Sequence, residues 1–174
     1  MDAEDIVLGI VKAAGGAVLG RTYLQKVAYF ASEMMGIPMG FGPHYYGPYS
    51  SPITSEIASQ VAMGRLKEIP QAYAEGSRIG YRYELEKEGM QYLEAIGGFE
   101  PEGFHLLSEI VSKIEGADYK QLACAAKLHY LLQEAGGKIS RTAAKEEAKR
   151  LGWHIEDKDI DTAIRVLQQL DLAS

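Results

Sequence analysis

The stretch FGPHYYGPYSSPITSEI, residues 41–57, joins a segment of turn-forming and aromatic residues to the start of a helix. Three prolines among its first twelve residues exclude a long helix there, whereas residues 44–46 favour a short extended segment. Gly47 with the proline after it is a turn signal. Ser51 is a suitable N-cap for a helix whose first residue is Pro52. The stretch therefore predicts a turn that leads into a helix ending near residue 62.

Two predicted helices precede this stretch. Residues 2–14 place apolar side chains at helical spacing, and the two glycines that follow end the helix. A second helix begins near Thr22, where Thr22 and Gln25 form a capping-box pair. The sequence GIP at positions 36–38 ends it. The quoted stretch thus connects a second helix to a third.

Two candidate strands follow the third helix. The first is GRLKEIP, and in the second, GYRYELEKEG, the residues Tyr81, Tyr83 and Leu85 alternate with polar ones, as in a half-buried strand. A further helix, MQYLEAIG, comes after them. The order helix, helix, helix, strand, loop, strand, helix is that of a winged helix, a helix-turn-helix with a two-stranded wing. The predicted fold class is therefore mainly α with a small β-wing.

The rest of the chain shows helical periodicity throughout. Four helices are predicted, within GFHLLSEIVSKI, DYKQLACAAKLHYLLQEAGG, RTAAKEEAKRLG and DKDIDTAIRVLQQL. We expect residues 1–98 to form a winged-helix-like domain and residues 99–174 to form a helical C-terminal region packed on it. The second segment alone would make a small core, and the join between the two is short.

Composition and charge narrow the function classes. The chain has 174 residues, 47% of them hydrophobic, and one cysteine, so an internal disulfide is impossible. An acidic N-terminus and the lack of a bilayer-length apolar run predict a cytoplasmic protein without membrane contact. Net charge is −6, divided evenly at −3 on each side of Gly98. Neither half is a basic module of the kind that nucleic-acid binders usually present.

Two motifs carry a resemblance to a known family. The sequence YLQKVAYFAS at 23–32, followed by YYGPYS at 45–50, resembles the Panacea (SocA-like antitoxin) domain, and more closely its YwgA-like group. The matching positions are Leu24, Gln25, Lys26 and Tyr29, then Tyr46, Gly47, Pro48, Tyr49 and Ser50. The resemblance implies a module that acts through protein contacts, as an antitoxin or a proteolytic adaptor, and it carries over no catalytic residue.

The tyrosines of the quoted stretch are the candidates for protein interaction: Tyr45, Tyr46 and Tyr49. Two interpretations remain open. In one, the rings form a half-buried lid over the second and third helices, with each hydroxyl hydrogen-bonded. In the other, they form an exposed recognition patch, because aromatic residues are enriched in interface hot spots. Such a patch would serve a toxin-like or adaptor partner, or self-association into a homodimer.

Duplex DNA is the alternative partner. In a helix-turn-helix the third helix would enter the major groove, where Ser, Thr and Gln side chains contact bases. The candidates are Thr54, Ser55 and Ser59 on that helix, and Arg65, Lys67, Arg78 and Arg82 on or near the wing. Gln60 and Met63 would also point outward, and Arg21 and Lys26 would flank the groove. The third helix has no basic residue, however, although phosphate contacts supply most of the affinity for DNA.

Catalysis, metal binding and cofactor binding have no motif in this chain. The four histidines are far apart in sequence, and none belongs to a ligand pattern such as HExxH. His129 and Cys124 are expected in the core, and the glycine-rich segment at 36–42 lacks the strand-to-helix context of a phosphate loop. We therefore expect no enzyme activity, metal or cofactor. Two hypotheses remain: a protein-interaction module of SocA-like type, and a DNA-binding winged-helix regulator.

Overall fold

The computed structural model describes residues 2–72, 79–95 and 101–173. Within these ranges the protein is mainly helical with a small antiparallel sheet, which confirms the predicted α-rich class. The helices are α1 (Ala3–Ala13), α2 (Arg21–Met35), α3 (Ser51–Ala62), α4 (Lys87–Ala95), α5 (Pro101–Lys113), α6 (Tyr119–Glu134), α7 (Arg141–Arg150) and α8 (Asp157–Gln169). The strands are β1 (Ala17–Leu19), β2 (Phe41–Gly42), β3 (Tyr49–Ser50), β4 (Leu66–Ala72) and β5 (Ile79–Leu85). None of the helices in the described ranges is both long enough and apolar enough to cross a lipid bilayer.

Helix α1 starts at a capping box, in which the Asp2 and Asp5 side chains each accept a hydrogen bond from the other's backbone N–H. Its central residues, Ile6 to Val11, are buried. Strand β1 follows directly and was absent from the sequence-based order. Three residues carry too little periodicity to predict a strand, and β1 exists because it pairs with β5, more than sixty residues along the chain.

The middle of helix α2 is deeply buried: residues 24–32 are all in the protein interior. The predicted capping box between Thr22 and Gln25 is wrong. The N-cap is Gly20, which makes no side-chain capping bond, and Gln25 points into the protein at 3% exposure. The helix ends at Gly36, as predicted.

The aromatic stretch forms a short hairpin. Strands β2 and β3 pair, and Tyr45 and Tyr46 lie in the turn between them, so the predicted extended segment at 44–46 is wrong. The N-cap of α3 is Ser50 rather than Ser51, because the Ser50 hydroxyl accepts a hydrogen bond from the N–H of Ile53 at 3.2 Å. Pro52 is then the second helical residue, and the predicted end near residue 62 is confirmed.

The larger sheet has the strand order β1-β5-β4, with both pairs antiparallel. The two predicted strands are thus confirmed, and alternation places Tyr83 of β5 in the core while Arg82 faces solvent. The Tyr83 hydroxyl donates to Glu68 of β4 at 2.6 Å. Helix α4 then begins directly after β5.

The four predicted C-terminal helices are confirmed as α5 to α8. Helix α1 packs against α5, and α2 packs against both α5 and α6, so the hydrophobic core is continuous from the first helix to the last. In α8 the residues Ile160, Ala163 and Leu167 are buried, and so is Leu170 directly after the helix. The expected boundary at 98/99 lies in segment 96–100, outside the described residues.

Candidate functional site

The two motifs that carry the family resemblance meet in space. The Gln25 side-chain amide of α2 donates to the Ser50 carbonyl at 2.8 Å, and its oxygen accepts from the Ser50 N–H at 2.9 Å. The same amide nitrogen donates to the Thr54 hydroxyl of α3 at 2.8 Å. Because Ser50 is fully buried, these bonds satisfy backbone groups that water does not reach. Gln25 therefore joins α2 to the end of the hairpin and the start of α3.

Lys26 makes the second connection. Its ammonium donates to the Pro48 carbonyl at 2.5 Å, and the residue is only 2% exposed. Burial, and next the positive charge of Lys127 on α6, lower the pKa of Lys26 from 10.5 to about 7. The sequence-based expectation that Lys26 flanks a DNA groove is therefore wrong, because this side chain is almost wholly buried and bonded to the Pro48 carbonyl.

The other side of the hairpin is attached to the C-terminal helices. The Trp153 indole N–H donates to the His44 carbonyl at 2.6 Å. Gly47 lies so close to α6 that a Cβ placed there would approach Lys127 Cγ to 3.0 Å and the Ala123 carbonyl oxygen to 3.3 Å. The turn is thus held between α2 on one side and the C-terminal helices on the other.

We call residues 43–48, between strands β2 and β3, the tyrosine turn. At its tip, Tyr45 is 72% exposed and Tyr46 is 46% exposed, with their rings edge to face at 4.8 Å between centroids. Tyr49 is half-buried just beyond the turn and stacks on His44 at 4.7 Å. The two interpretations of the tyrosines thus apply to different residues: Tyr45 and Tyr46 face solvent, and Tyr49 is partly covered.

Helix α3 exposes small and uncharged side chains. Ser55 is exposed, Ser59 is half-buried, and half-buried Thr54 is bonded to Gln25. Gln60 is buried and donates to Glu56, so its predicted outward position is wrong. Met63, at the end of the helix, is 54% exposed. Residues 51–62 of α3 include no Lys or Arg that could contact a phosphate.

The basic residues predicted on or near the wing differ in their exposure and in their ion-pair partners. The Arg65 guanidinium forms an ion pair with Glu4 and lies 3.7 Å from the centre of the Tyr92 ring. Arg82 is exposed and pairs with Glu84 at 2.7 Å. Lys67 is exposed and has no ion-pair partner within the described ranges. Arg78 lies outside the described residues.

His129 is a core residue, as predicted. Its Nδ1 shares a hydrogen bond of 2.9 Å with the Tyr29 hydroxyl, and burial lowers the pKa of His129 from 6.5 to about 4. Cys124 is half-buried, and burial raises the pKa of its thiol to about 11. In the part of the chain that the structure describes, no three His, Cys, Asp or Glu side chains are grouped as metal ligands.

Sequence reasoning missed the positions of Gln25, Lys26, His44 and Trp153 in this site. The sequence did contain a signal for Gln25 and Lys26. Gln25 and Lys26 interrupt a run of apolar residues on a helix that is buried all round, and polar residues in such a helix need an internal partner. For Trp153, more than a hundred residues away from the turn, the sequence contains no comparable signal.

Comparison with known proteins finds a similarity that covers part of this chain. No family model matches it. It is 35% identical over 81 residues to the uncharacterized protein YwgA of Bacillus subtilis (strain 168). The match spans 45% of this chain and 47% of that protein, so the similarity extends over less than half of each.

Proposed function

We propose that this protein is a non-enzymatic protein-interaction module of the SocA-like antitoxin or adaptor type, and that the tyrosine turn contacts its partner. The observation that carries the proposal is the pair Tyr45 and Tyr46, two exposed aromatic rings in contact with each other. They lie on a turn that is bonded to α2 and to Trp153. Tyrosine is among the residues enriched in the hot spots of protein interfaces.

The attachment of the turn supports this function. Bonds from Lys26 and Trp153, and the close packing of Gly47, fix the turn on two sides. A turn that is already ordered loses little conformational entropy on binding, and a tyrosine supplies a large contact area with few rotatable bonds. The tip therefore offers apolar area to a partner at low entropic cost.

The scaffold that we propose is a winged helix. Apart from the hairpin β2–β3 between α2 and α3, the order α1, β1, α2, α3, β4, β5 and the sheet order β1-β5-β4 support it. The resemblance to the Panacea superfamily is supported by the contact between its two motifs, since Gln25 and Lys26 bind the segment that contains Tyr-Gly-Pro. In this proposal the winged helix presents the tyrosine turn to a protein partner instead of binding DNA.

The test is affinity capture with the tagged full chain from an extract of its native cells. We expect a stoichiometric protein partner that is lost with the double variant Tyr45→Ser/Tyr46→Ser and retained with Tyr119→Ser. Tyr119 is a matched control, because it is 43% exposed on a different element. Equal capture by all three proteins would refute a role for the turn.

Self-association through the same turn has a separate measurement. Sedimentation velocity of the unmodified chain and the double variant distinguishes a homodimer from a monomer. A dimer that dissociates in the double variant identifies a second copy of the chain as the occupant of the turn. A dimer unaffected by the double variant would place the interface elsewhere.

DNA binding remains a second candidate, favoured by the same helix order and by the exposed Lys67, which has no ion-pair partner among the described residues. We test it by fluorescence anisotropy with a random-sequence duplex at low and at physiological salt. Binding whose logarithm falls linearly with the logarithm of salt, and which weakens in Lys67→Ala, would support it. No binding at low salt would exclude the electrostatic contribution on which such regulators depend.

A further inference from the structure

Lys26 is a buried amine for which the described residues provide no anionic partner. Its ammonium carries three N–H donors, yet the described residues provide one acceptor, the Pro48 carbonyl. Among the described residues, burial and the positive charge of Lys127 affect the pKa of Lys26, and both lower it. A buried charge is normally paired, because removing an ion from water costs several kcal/mol. Lys26 is therefore only partly charged near neutral pH, and an anion from outside the fold would stabilise its charged form.

A pocket of about 170 Å³ opens beside this lysine. We call it the foot pocket, because it lies at the base of the tyrosine turn. Its lining residues are Arg21, Thr22, Gln25, Lys26, His44, Tyr46, Gly47 and Tyr49. The lining contains two basic side chains and no carboxylate. Its volume is below the roughly 300–1,000 Å³ of sites that enclose a whole drug-sized ligand, so the pocket fits a single chemical group.

Arg21 adds a second cation at the pocket wall. Its guanidinium donates to the Tyr83 hydroxyl at 3.1 Å and to Glu68 at 3.3 Å. Glu68 therefore offsets part of the Arg21 charge, whereas no carboxylate among the described residues pairs with Lys26. A guanidinium has five N–H donors, so Arg21 retains donors for a ligand after these two bonds.

The start of α2 and the aromatic rings complete the wall. Arg21 and Thr22 belong to the first turn of α2, whose N-cap, Gly20, makes no side-chain capping bond. The positive end of a helix dipole thus lies at the pocket, and it favours negative charge. The stacked rings of His44 and Tyr49 also line the pocket. A lining that combines cations with aromatic rings suits an oxyanion attached to a small organic group.

We propose that the foot pocket binds one oxyanionic group, a carboxylate or a phosphate, with the Lys26 ammonium as its charge partner. The inference deepens the proposed function, since Tyr46 belongs both to the exposed tip and to the pocket wall. An anionic group seated at Lys26 would lie directly beneath the surface that we assign to the partner. It rests on the proposed function only for the identity of the molecule that carries the group.

The first experiment titrates the full chain, labelled with ¹⁵N, with sodium sulfate and separately with sodium acetate, at ionic strength held constant with sodium chloride. Sulfate represents a phosphate group and keeps its charge across the pH range used. We expect saturable shifts of the amide signals of His44, Gly47 and Tyr49. The anion that binds more tightly identifies the class of group. Shifts that do not saturate, or that are spread over all surface cations, would overturn the proposal.

Two lysine variants separate the pocket from general charge effects. Lys26→Met should abolish the saturable shifts, and Lys67→Met, which removes an exposed and unpaired lysine, should leave them unchanged. Equal loss in both variants would show a nonspecific charge effect and would overturn the assignment. Because neither titration includes a protein partner, failure here is distinct from failure of the capture experiment.

A third measurement needs no variant that might fail to fold. The ¹³Cε signal of Lys26 reports its own protonation, and binding of an anion to the charged form must raise its pKa by linkage. Because the pKa of the free Lys26 amine is about 7, sulfate that binds only the charged form should bind about thirtyfold more tightly at pH 6 than at pH 8.5. Arg21, Lys127, His44, Tyr46 and Tyr49 face the same region, and His44→Gln separates any contribution from the imidazole. A Lys26 titration that is unaffected by saturating sulfate would refute the proposal.

Discussion

At the residue scale, Gly47 is the position where the tyrosine turn meets α6. Its φ of +98° lies in the region that residues with a Cβ rarely adopt. A side chain there would also press on Lys127 and on the Ala123 carbonyl. Backbone conformation and packing thus both select glycine, and the two contributions are separable by experiment.

We predict that Gly47→Ala destabilises the protein by about 2–3 kcal/mol, from backbone strain together with overpacking. The control is Gly136→Ala, at a positive φ of 72° with nothing within 4 Å of the added Cβ. This control should cost only the backbone contribution, about 1 kcal/mol. Urea unfolding monitored by circular dichroism measures both. Equal losses would mean that α6 does not press on the turn.

A second residue-scale prediction concerns His129. The unfolded chain protonates this imidazole near pH 6.5, whereas the folded chain does so near 4. The folded state is therefore deficient in bound protons between these values, and the free energy of unfolding decreases as the pH falls from 6.5 to 4. Between pH 7 and pH 5 the expected loss is about 2 kcal/mol.

The measurement is urea unfolding at pH 7 and pH 5. His129→Gln should remove this pH-dependent loss, since glutamine keeps a hydrogen-bonding group but does not titrate. His105→Gln is the matched control, because His105 is exposed. Parallel profiles for the unmodified chain and His129→Gln would show that His129 does not cause the pH dependence.

At the element scale, Gln25 joins three elements by one side chain. It bonds both backbone groups of Ser50 and the hydroxyl of Thr54. Ser50 in turn donates its own hydroxyl proton to the Met39 carbonyl at 2.5 Å and caps α3. The angle at which α3 leaves the hairpin therefore depends on a buried polar network and not on apolar packing alone.

We predict that Gln25→Ala costs about 2–4 kcal/mol, because it leaves the buried N–H and carbonyl of Ser50 without partners. Gln168→Ala is the control: Gln168 is exposed on α8 and makes no side-chain hydrogen bond in the described ranges. Urea unfolding gives the energies, and amide hydrogen exchange at Ser50 should accelerate in Gln25→Ala. A cost below that of the control would mean that water replaces the lost amide.

At the scale of the whole molecule, the hydrophobic core runs through both halves of the chain. Helices α1 and α2 pack on α5 and α6, and Trp153 bonds to the tyrosine turn. We propose that residues 1–98 and 99–174 form one folding unit. The function that we assign to the turn depends on this unity, because the turn is held by residues from both halves.

We predict a single cooperative unfolding transition. Trp153 is the one tryptophan in the chain and is 3% exposed, so its fluorescence reports the C-terminal half. Far-ultraviolet circular dichroism reports the helices of both halves. The two signals should give the same urea midpoint. A tryptophan transition separated from the dichroism transition would show that the halves unfold independently.

The positions of the helices were predictable from this sequence. Helical periodicity and the glycines that end α1, α2 and α6 located the predicted helices, and alternation located β4 and β5. These signals are local: a repeat of 3.6 or 2 residues, or a backbone angle that favours glycine, depends only on neighbouring residues. The α-rich class with a small sheet follows from them directly.

Tertiary structure decided what the local signals could not. Strand β1 forms because β5 is available to pair with it, and Gln25 binds Ser50 instead of capping α2 because the hairpin lies against that face. Lys26 bonds to the Pro48 carbonyl and lines the foot pocket because the hairpin packs against α2. Each depends on groups more than twenty residues apart in sequence. Burial of a polar side chain is set by what packs over it, and that is a property of the folded chain rather than of any segment.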